Sequence, residues 1–363
     1  MNLEEYFETK SSQDFPSEKD YVAIYRTFKQ FMNSEIHNEV KAITTRLDNT
    51  VYLNDHSANH VKMLMVKVSS ILKDCSYLTP YECFILLVAI QIHDAGHIFN
   101  GRDGHEKSGR YLLENLNVDT IERKIIGDIA KAHSGKNDPI GNLPYKTSIS
   151  GHDVRIRELA ALLRFGDELA DENSRASSYL LKKDLIPEDS KLYHAFSESL
   201  YNFNPDKDSH CIQMGFSLTK NQVQNRYKKG ESSIYLLDEI YTRTFKTFQE
   251  CLYYNRFVSY EYQFHSIIIS IEFIDEGFEP FFDTISYRIE EKGYPTLSIN
   301  NVFEYCGAQL ERSNNKLTGD YVHQCVNSSL LKKIHLKYRL QNRTPLRMLS
   351  IYLLMFFLTF IKY

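Results

Sequence analysis

The 363-residue sequence has no tryptophan, no Cys-x-x-Cys pair and no internal repeat. Its six cysteines are scattered, which argues against a disulfide framework or a cysteine zinc knuckle and indicates a reducing compartment. The net charge of -4 gives no general reason to expect binding to a polyanion. Residues 1–8 are acidic and contain no apolar run, so we expect no secretory signal and a cytoplasmic location.

What the chain does contain is enough apolar sequence for a large core. Hydrophobic residues make up 42% and charged residues 25%, which excludes compositional disorder. Helical periodicity dominates up to about residue 178, whereas 211–218 and 266–273 have the pattern of strands, with an amphipathic helix over 232–254 between them. We therefore predict a mainly α fold, a helical bundle with a smaller α+β segment inserted or appended.

Changes in composition divide the chain into four predicted parts. A helical lead-in, a helical domain, an α+β accessory segment and a helical tail are expected over 1–50, 51–180, 181–300 and 301–363. In the tail, a basic stretch precedes the mostly apolar residues 348–361, a run shorter than an ordinary membrane span. This run is predicted to dock on the protein, or alternatively to contact a membrane surface and anchor the chain there.

The most informative stretch is a His-Asp pair at the end of an apolar helix. Thr79, Pro80 and Glu82 predict the start of this helix through a capping box with proline at its first position. The following residues are apolar nearly all round, and His93-Asp94 falls on the last turn before Gly96, a predicted terminator. An imidazole beside a carboxylate is a good ligand pair for a divalent transition metal.

Further histidines surround this pair in the sequence. His56 and His60 are four apart, so we expect both on one face of a helix capped by Asn54 or Asp55. His133 ends a predicted helix over 120–132, and another predicted helix, over 152–175, is acidic near its end. Helix ends from separate parts of a chain can converge on one point, as metal sites in helical bundles do.

These residues carry a resemblance to a known family. His60, the pair His93-Asp94 and Asp167 within the segment 160–171 resemble the HD-domain superfamily of metal-dependent phosphohydrolases, over about residues 50–180. The run Asp55-His56-x-x-x-His60 is similar to the first motif of a bacterial branch. The resemblance implies an HD-type helical bundle whose metal ligands are His60, His93, Asp94 and Asp167, joined by His105 and His133 in members with two metals.

The same resemblance implies hydrolysis of a phosphoester or phosphoanhydride of a nucleotide-like substrate by metal-activated water. A His/Asp ligand set suits manganese, iron, zinc, nickel or cobalt, as one or two ions. Candidate catalytic groups are His105, His133 and Lys107, and candidate phosphate contacts are Arg164, Arg175 and Lys136. His56, His97 and His152 either orient ligands through hydrogen bonds or lie on the polar surface.

The sequence departs at two positions from the motifs of superfamily members that cleave cyclic dinucleotides. His97 stands where cyclic-dinucleotide-cleaving members have the lysine of His-Asp-x-Gly-Lys, and His133-Ser134 replaces their paired histidines, so an activity of that type is disfavoured. The alternatives are an HD-type nuclease acting on single strands, or a non-catalytic nucleotide- or partner-binding module of an antiviral or signalling system. The acidic 167–172 stretch disfavours the nuclease, and the intact ligand set disfavours the module. Homo-oligomerisation stays open.

Overall fold

A computed structural model of the protein describes residues 1–44, 56–100, 109–171, 176–275, 277–293, 299 and 301–328. Several positions singled out in the sequence lie outside these residues: Asn54, Asp55, His105, Lys107, Arg175 and the apolar run 348–361. The described residues are mainly helical with small sheets, which confirms the predicted fold class. The division of the chain into four parts stays a prediction.

The N-terminal part folds against the bundle as a set of helices. Helix α1 spans Leu3–Glu8, α2 spans Tyr21–Phe31, and a π-helical turn over Met32–Ile36 leads into α3, His37–Thr44. The side chain of Asp20 caps α2 by accepting a hydrogen bond from the Ala23 amide.

The central bundle is formed by α4 (Ala58–Leu72), α5 (Pro80–Ile92), α6 (His97–Asn100), α7 (Thr120–Lys131) and α8 (Ile156–Leu169). Helix α5 begins as predicted, because Thr79 and Glu82 form a complete capping box. The segment Pro80–Phe99 has the length and hydropathy of a membrane-spanning helix, yet 89% of its most apolar window is buried inside the protein. Its apolar surface therefore serves core packing in this fold.

Two sequence-based boundaries in this part of the chain are wrong. Helix α4 begins after Ser57, whose hydroxyl accepts from the Asn59 amide, so its N-cap lies two or three residues later than predicted. His56 therefore precedes the helix instead of sharing a face with His60. Residues 147–154 form a β-hairpin in place of the first turn of the predicted helix 152–175. Positive φ at both Ser150 and Gly151 allows the tight turn, and a helical start is then impossible there.

The second half of the chain is built around a four-stranded sheet. Its strands are β3 (Leu200–Asp206), β4 (Cys211–Leu218), β7 (Ser266–Phe273) and β8 (Ile285–Glu290), in the order β3-β4-β7-β8. The outer pairs are antiparallel, and the central pair β4/β7 is parallel. A parallel pair needs a crossover connection, which here contains α12, Leu236–Asn255. Both predicted strands and the predicted helix between them are thus present.

The described chain also contains shorter elements. They include the 3-10 turn Gly109–Asn115, the hairpin strands β1 (Thr147–Ile149) and β2 (His152–Val154), the helices α9 (Ser178–Lys182), α10 (Glu188–Ser199) and α11 (Lys220–Gln224), the strands β5 (Arg226–Lys229) and β6 (Ser232–Tyr235), the helix α13 (Val302–Cys306), the strands β9 (Glu311–Arg312) and β10 (Asn315–Lys316), and α14, residues 319–328. Residues 232–235 belong to β6, so α12 starts four residues after the predicted boundary.

Helix α12 holds α8 in place through complementary charges. Three side chains of α8 and its C-terminal extension contact three side chains of α12 in antiparallel order, in the pairs Arg164–Glu250, Glu168–Lys246 and Asp171–Arg243. On the side of α8 toward α4, Gly166 lies where an added Cβ would be 2.6 Å from Val68 Cγ2 and 2.9 Å from Leu64 Cδ1. The absence of a side chain at Gly166 therefore lets α8 and α4 pack closely.

Candidate metal centre

Three helices bring a histidine pair and two carboxylates to one buried point. His60 lies in the first turn of α4, His93 and Asp94 directly follow α5, and Asp167 lies in the last turn of α8. One ligand atom from each of these four residues lies within 4.8 Å of the others. His60 and His93 are each only 1% exposed, and Asp94 is 6% exposed. The four residues predicted from the sequence as the main metal ligands therefore lie close together in the structure.

The donor atoms face one another closely. His60 Nε2 is 3.3 Å from His93 Nε2 and 3.0 Å from Asp167 Oδ1. Asp94 Oδ2 is 3.3 Å from His93 Nε2 and 3.7 Å from His60 Nε2. Two imidazole nitrogens and two carboxylates directed at one another in a buried space need a cation or protons between them. Nitrogen and oxygen donors in this number fit a divalent transition metal.

Backbone carbonyl groups fix the orientation of two imidazoles. His93 Nδ1 lies 2.8 Å from the carbonyl oxygen of Ile90, and His133 Nδ1 lies 2.5 Å from that of Ala130. Since a carbonyl only accepts, Nδ1 donates in both rings and Nε2 is presented to the site. This is the arrangement by which metal-binding histidines are commonly oriented.

The pKa shifts of His93 and Asp167 also indicate that the cluster needs positive charge. Burial disfavours protonation of His93, but the charge of Asp94 and hydrogen bonding with Asp167 outweigh it and raise the pKa of His93 well above its ordinary value. Burial likewise opposes ionisation of Asp167, yet hydrogen bonds with His60 and His93 hold its pKa well below the usual range. Without an ion, positive charge on imidazole thus balances the carboxylates. A metal ion would replace those protons.

Three other histidines surround Asp94. His133 Nε2 lies 3.5 Å from Asp94 Oδ1, so the structure brings this predicted residue to the edge of the site. His56 Nδ1 lies 2.6 Å from Asp94 Oδ2, and the His56 and His97 rings are 5.1 Å apart between centroids. His152, by contrast, is an exposed residue of β2. Whether His133 acts in catalysis stays a prediction.

The predicted phosphate contacts are placed differently. Arg164 forms a two-pronged ion pair with Glu250, through Nε at 2.7 Å and Nη2 at 2.8 Å. Lys136 is exposed and lies three residues after His133. Their role in substrate binding stays a prediction, and Arg175, His105 and Lys107 lie outside the described residues.

The sequence interpretation missed the side chains of α12 that support the site. Arg243, Lys246 and Glu250 occupy one face of α12 and pair with the face of α8 adjacent to Asp167. A signal was available, because the charges on the two helices repeat every three or four residues with opposite signs in antiparallel order. Nothing in the sequence indicated which two helices would be paired.

A helical bundle in which a histidine, a His-Asp pair and a distal aspartate converge defines the HD-domain class of proteins. The model of one HD-domain-like family, HD-CE, matches residues 50–244, which is over half of the chain. The chain belongs to the HD-CE family. No curated protein matches it. The matched region continues past residue 180 into α12, consistent with the contacts between α12 and α8.

Proposed function

We propose that the protein is a metal-dependent phosphohydrolase acting on a nucleotide-like substrate. The observation that carries this proposal is the buried cluster of His60, His93, Asp94 and Asp167, with its ligand atoms within 4.8 Å of one another. Membership of an HD-domain-like family supports the same class of reaction, because the chain shares the fold and the metal-binding motif of that class. A cluster of this kind is expensive to bury unless a cation compensates it.

A bound ion would supply a water of lowered pKa and neutralise charge on the phosphoryl oxygens. The protein residues do the positioning. His60 and His93 direct Nε2 inward from two helices, and the hydrogen bond from His93 Nδ1 to Ile90 prevents the ring from turning away. His133, similarly fixed by Ala130, presents Nε2 beside Asp94, where a protonated ring donates to a phosphoryl oxygen and a neutral one accepts a proton from water.

The reaction consumes one water for each phosphorus–oxygen bond broken. The water oxygen bonds to phosphorus, the leaving oxygen departs with the bond's electron pair, and one proton of the water passes to that oxygen. A monoester, a cyclic diester and a triphosphate all react in this way.

A substrate panel tests the proposal. Full-length protein loaded with Mn²⁺ is incubated with cyclic nucleotides, nucleoside triphosphates and short single-stranded DNA, and released phosphate and nucleotides are measured. We expect turnover of a nucleotide by the wild type and a loss of at least about 100-fold in Asp94→Asn, because that substitution removes a ligand carboxylate. The matched control is Asp153→Asn, at an exposed position of β2.

The outcomes separate the competing functions. Turnover that is equal in wild type and Asp94→Asn contradicts the proposal. Cleavage of DNA alone replaces it with the nuclease. Tight metal and nucleotide binding without any product replaces it with a non-catalytic binding module.

A further inference from the structure

We infer that the protein holds a second divalent transition-metal ion between His56, Asp94 and His97, with Asp94 shared between the two ions. This inference rests on the proposed function for the first ion. It differs from the sequence-based expectation, in which a second ion was assigned to His105 and His133.

The three residues offer a compact set of ligand atoms. One atom from each of His56, Asp94 and His97 lies within 4.8 Å of the other two. His56 Nδ1 is 2.6 Å from Asp94 Oδ2, and the two imidazole rings are 5.1 Å apart between centroids. His97 is 3% exposed and the side chain of His56 is 20% exposed, so the three residues are largely shielded from solvent.

The backbone fixes two of these ligands in one turn. After α5 the chain makes a turn in which the Ala95 amide donates to the Ile92 carbonyl and the His97 amide donates to the Asp94 carbonyl, at 3.1 Å each. His97 therefore lies three residues after Asp94, about one helical turn along, on the same side of the chain as Asp94. His56 comes from the other direction, because the cap at Ser57 starts α4 directly after it.

Asp94 lies between the two clusters. Its Oδ2 is 2.6 Å from His56 and also 3.3 Å from His93 Nε2, a member of the first cluster. The same carboxylate oxygen thus faces histidines of both clusters, and a shared carboxylate of this kind would suit a pair of divalent ions, as in two-metal phosphohydrolytic sites. In such a site one ion would activate the attacking water and the other would stabilise the leaving oxygen.

This assignment gives His133 a different role. Its Nε2 faces the other carboxylate oxygen, Asp94 Oδ1, at 3.5 Å. If His56 and His97 are ligands of the second ion, His133 is not needed as a metal ligand. We then expect it to contact the substrate or to transfer a proton.

Metal counting tests the inference directly. Full-length protein is stripped with a chelator, titrated with Mn²⁺ alone and freed of unbound metal, and the bound manganese is measured by elemental analysis. We expect two ions in the wild type, one in His56→Ala/His97→Ala and two in the control His152→Ala, whose histidine is exposed on β2. Electron paramagnetic resonance should show magnetically coupled Mn²⁺ in the wild type and an isolated ion in the double variant.

The outcomes distinguish this inference from the proposed function. A wild type that binds no ion overturns the proposed function itself. A wild type that binds one ion, retained by the double variant, leaves the function standing and overturns the second site. A double variant with two ions or none, folded by circular dichroism, also overturns it. His56→Gln/His97→Gln repeats the test if the alanine variant fails to fold, with one bound ion again expected.

Discussion

His60 Nε2 lies 3.0 Å from Asp167 Oδ1, a contact that joins the first turn of α4 to the last turn of α8 inside the candidate metal centre. The two residues are distant in sequence, so the contact exists only when α8 is correctly packed on α4. The site and the core of the bundle are therefore one structure, and changes in either should be detected in the other.

Removing the carboxylate of Asp167 should weaken metal binding. In Asp167→Asn we expect at least about tenfold lower affinity for Mn²⁺, since the loss of a ligand should cost at least as much as the loss of a residue that orients one. Isothermal titration calorimetry measures the effect. The control Asp128→Asn removes a half-exposed carboxylate on α7 that pairs with Lys124 one helical turn away, and this variant should bind metal like the wild type. Equal affinity of the Asp167 and Asp128 variants would exclude Asp167 from the ligand set.

The ion pair between α8 and α12 should stabilise the fold. Arg164→Ala leaves Glu250 without its partner at a position where both side chains are under 20% exposed, and we expect a loss of about 1–3 kcal/mol in the free energy of unfolding. Arg164→Ala/Glu250→Ala should cost less than the sum of the two single variants. Chemical denaturation measures all three. For the exposed pair Lys146–Asp153, the expected loss is only about 0–1 kcal/mol, and a loss as large as at Arg164 would contradict this account.

The close packing at Gly166 should be sensitive to a single methyl group. Gly166→Ala places a Cβ 2.6 Å from Val68 Cγ2 and 2.9 Å from Leu64 Cδ1, so either α8 or those side chains must move. We expect a loss of about 1–3 kcal/mol in stability and weaker metal binding, because Asp167 follows Gly166 directly. Gly277→Ala is the control, since its Cβ would meet no atom within 4 Å. If the Gly166→Ala protein is destabilised but binds metal with unchanged affinity, the packing at Gly166 does not position Asp167 for metal binding, contrary to this prediction.

The metal-free and metal-bound proteins should respond to pH in opposite ways. The raised pKa of His93 means that its contribution to stability in the metal-free protein is present below about pH 6.5, the unfolded-state value, and is lost as the pH rises through the higher folded-state pKa. Metal needs the neutral imidazole, so binding strengthens over the same rise. The stabilisation by Mn²⁺ should therefore increase with pH above about 6.5.

Denaturation curves at a series of pH values, with Mn²⁺ and with a chelator, measure this difference. His93→Gln should remove most of the pH dependence of the stabilisation by Mn²⁺, because a glutamine side chain does not titrate. Stabilisation by Mn²⁺ that decreases as the pH rises would contradict the assignment of His93 as a ligand.

Local sequence signals predicted the elements that carry the site. The capping box at Thr79 and the apolar run after it located α5 and the position of His93-Asp94, because caps and burial patterns act over a few residues. The strands 211–218 and 266–273 were recognised for the same reason. The start of α4 was misplaced because Asn54, Asp55 and Ser57 are all good capping residues, and only packing decides among them.

Long-range relationships could not be read from the chain alone. The pairing of α8 with α12 depends on the crossover between β4 and β7, which sets the helices side by side. The approach of His56 to Asp94 depends on the chain entering α4 over the end of α5. Each requires knowledge of which distant elements are neighbours, which composition and periodicity do not contain.

An anomalous difference map from crystals of the full-length protein grown with Mn²⁺ would show whether these four residues bind metal. We expect a strong peak bonded to Nε2 of His60 and His93 and to carboxylate oxygens of Asp94 and Asp167, at distances of about 2.0–2.3 Å. A well-ordered site without a peak at these four residues, at manganese concentrations that saturate binding in solution, would contradict this expectation.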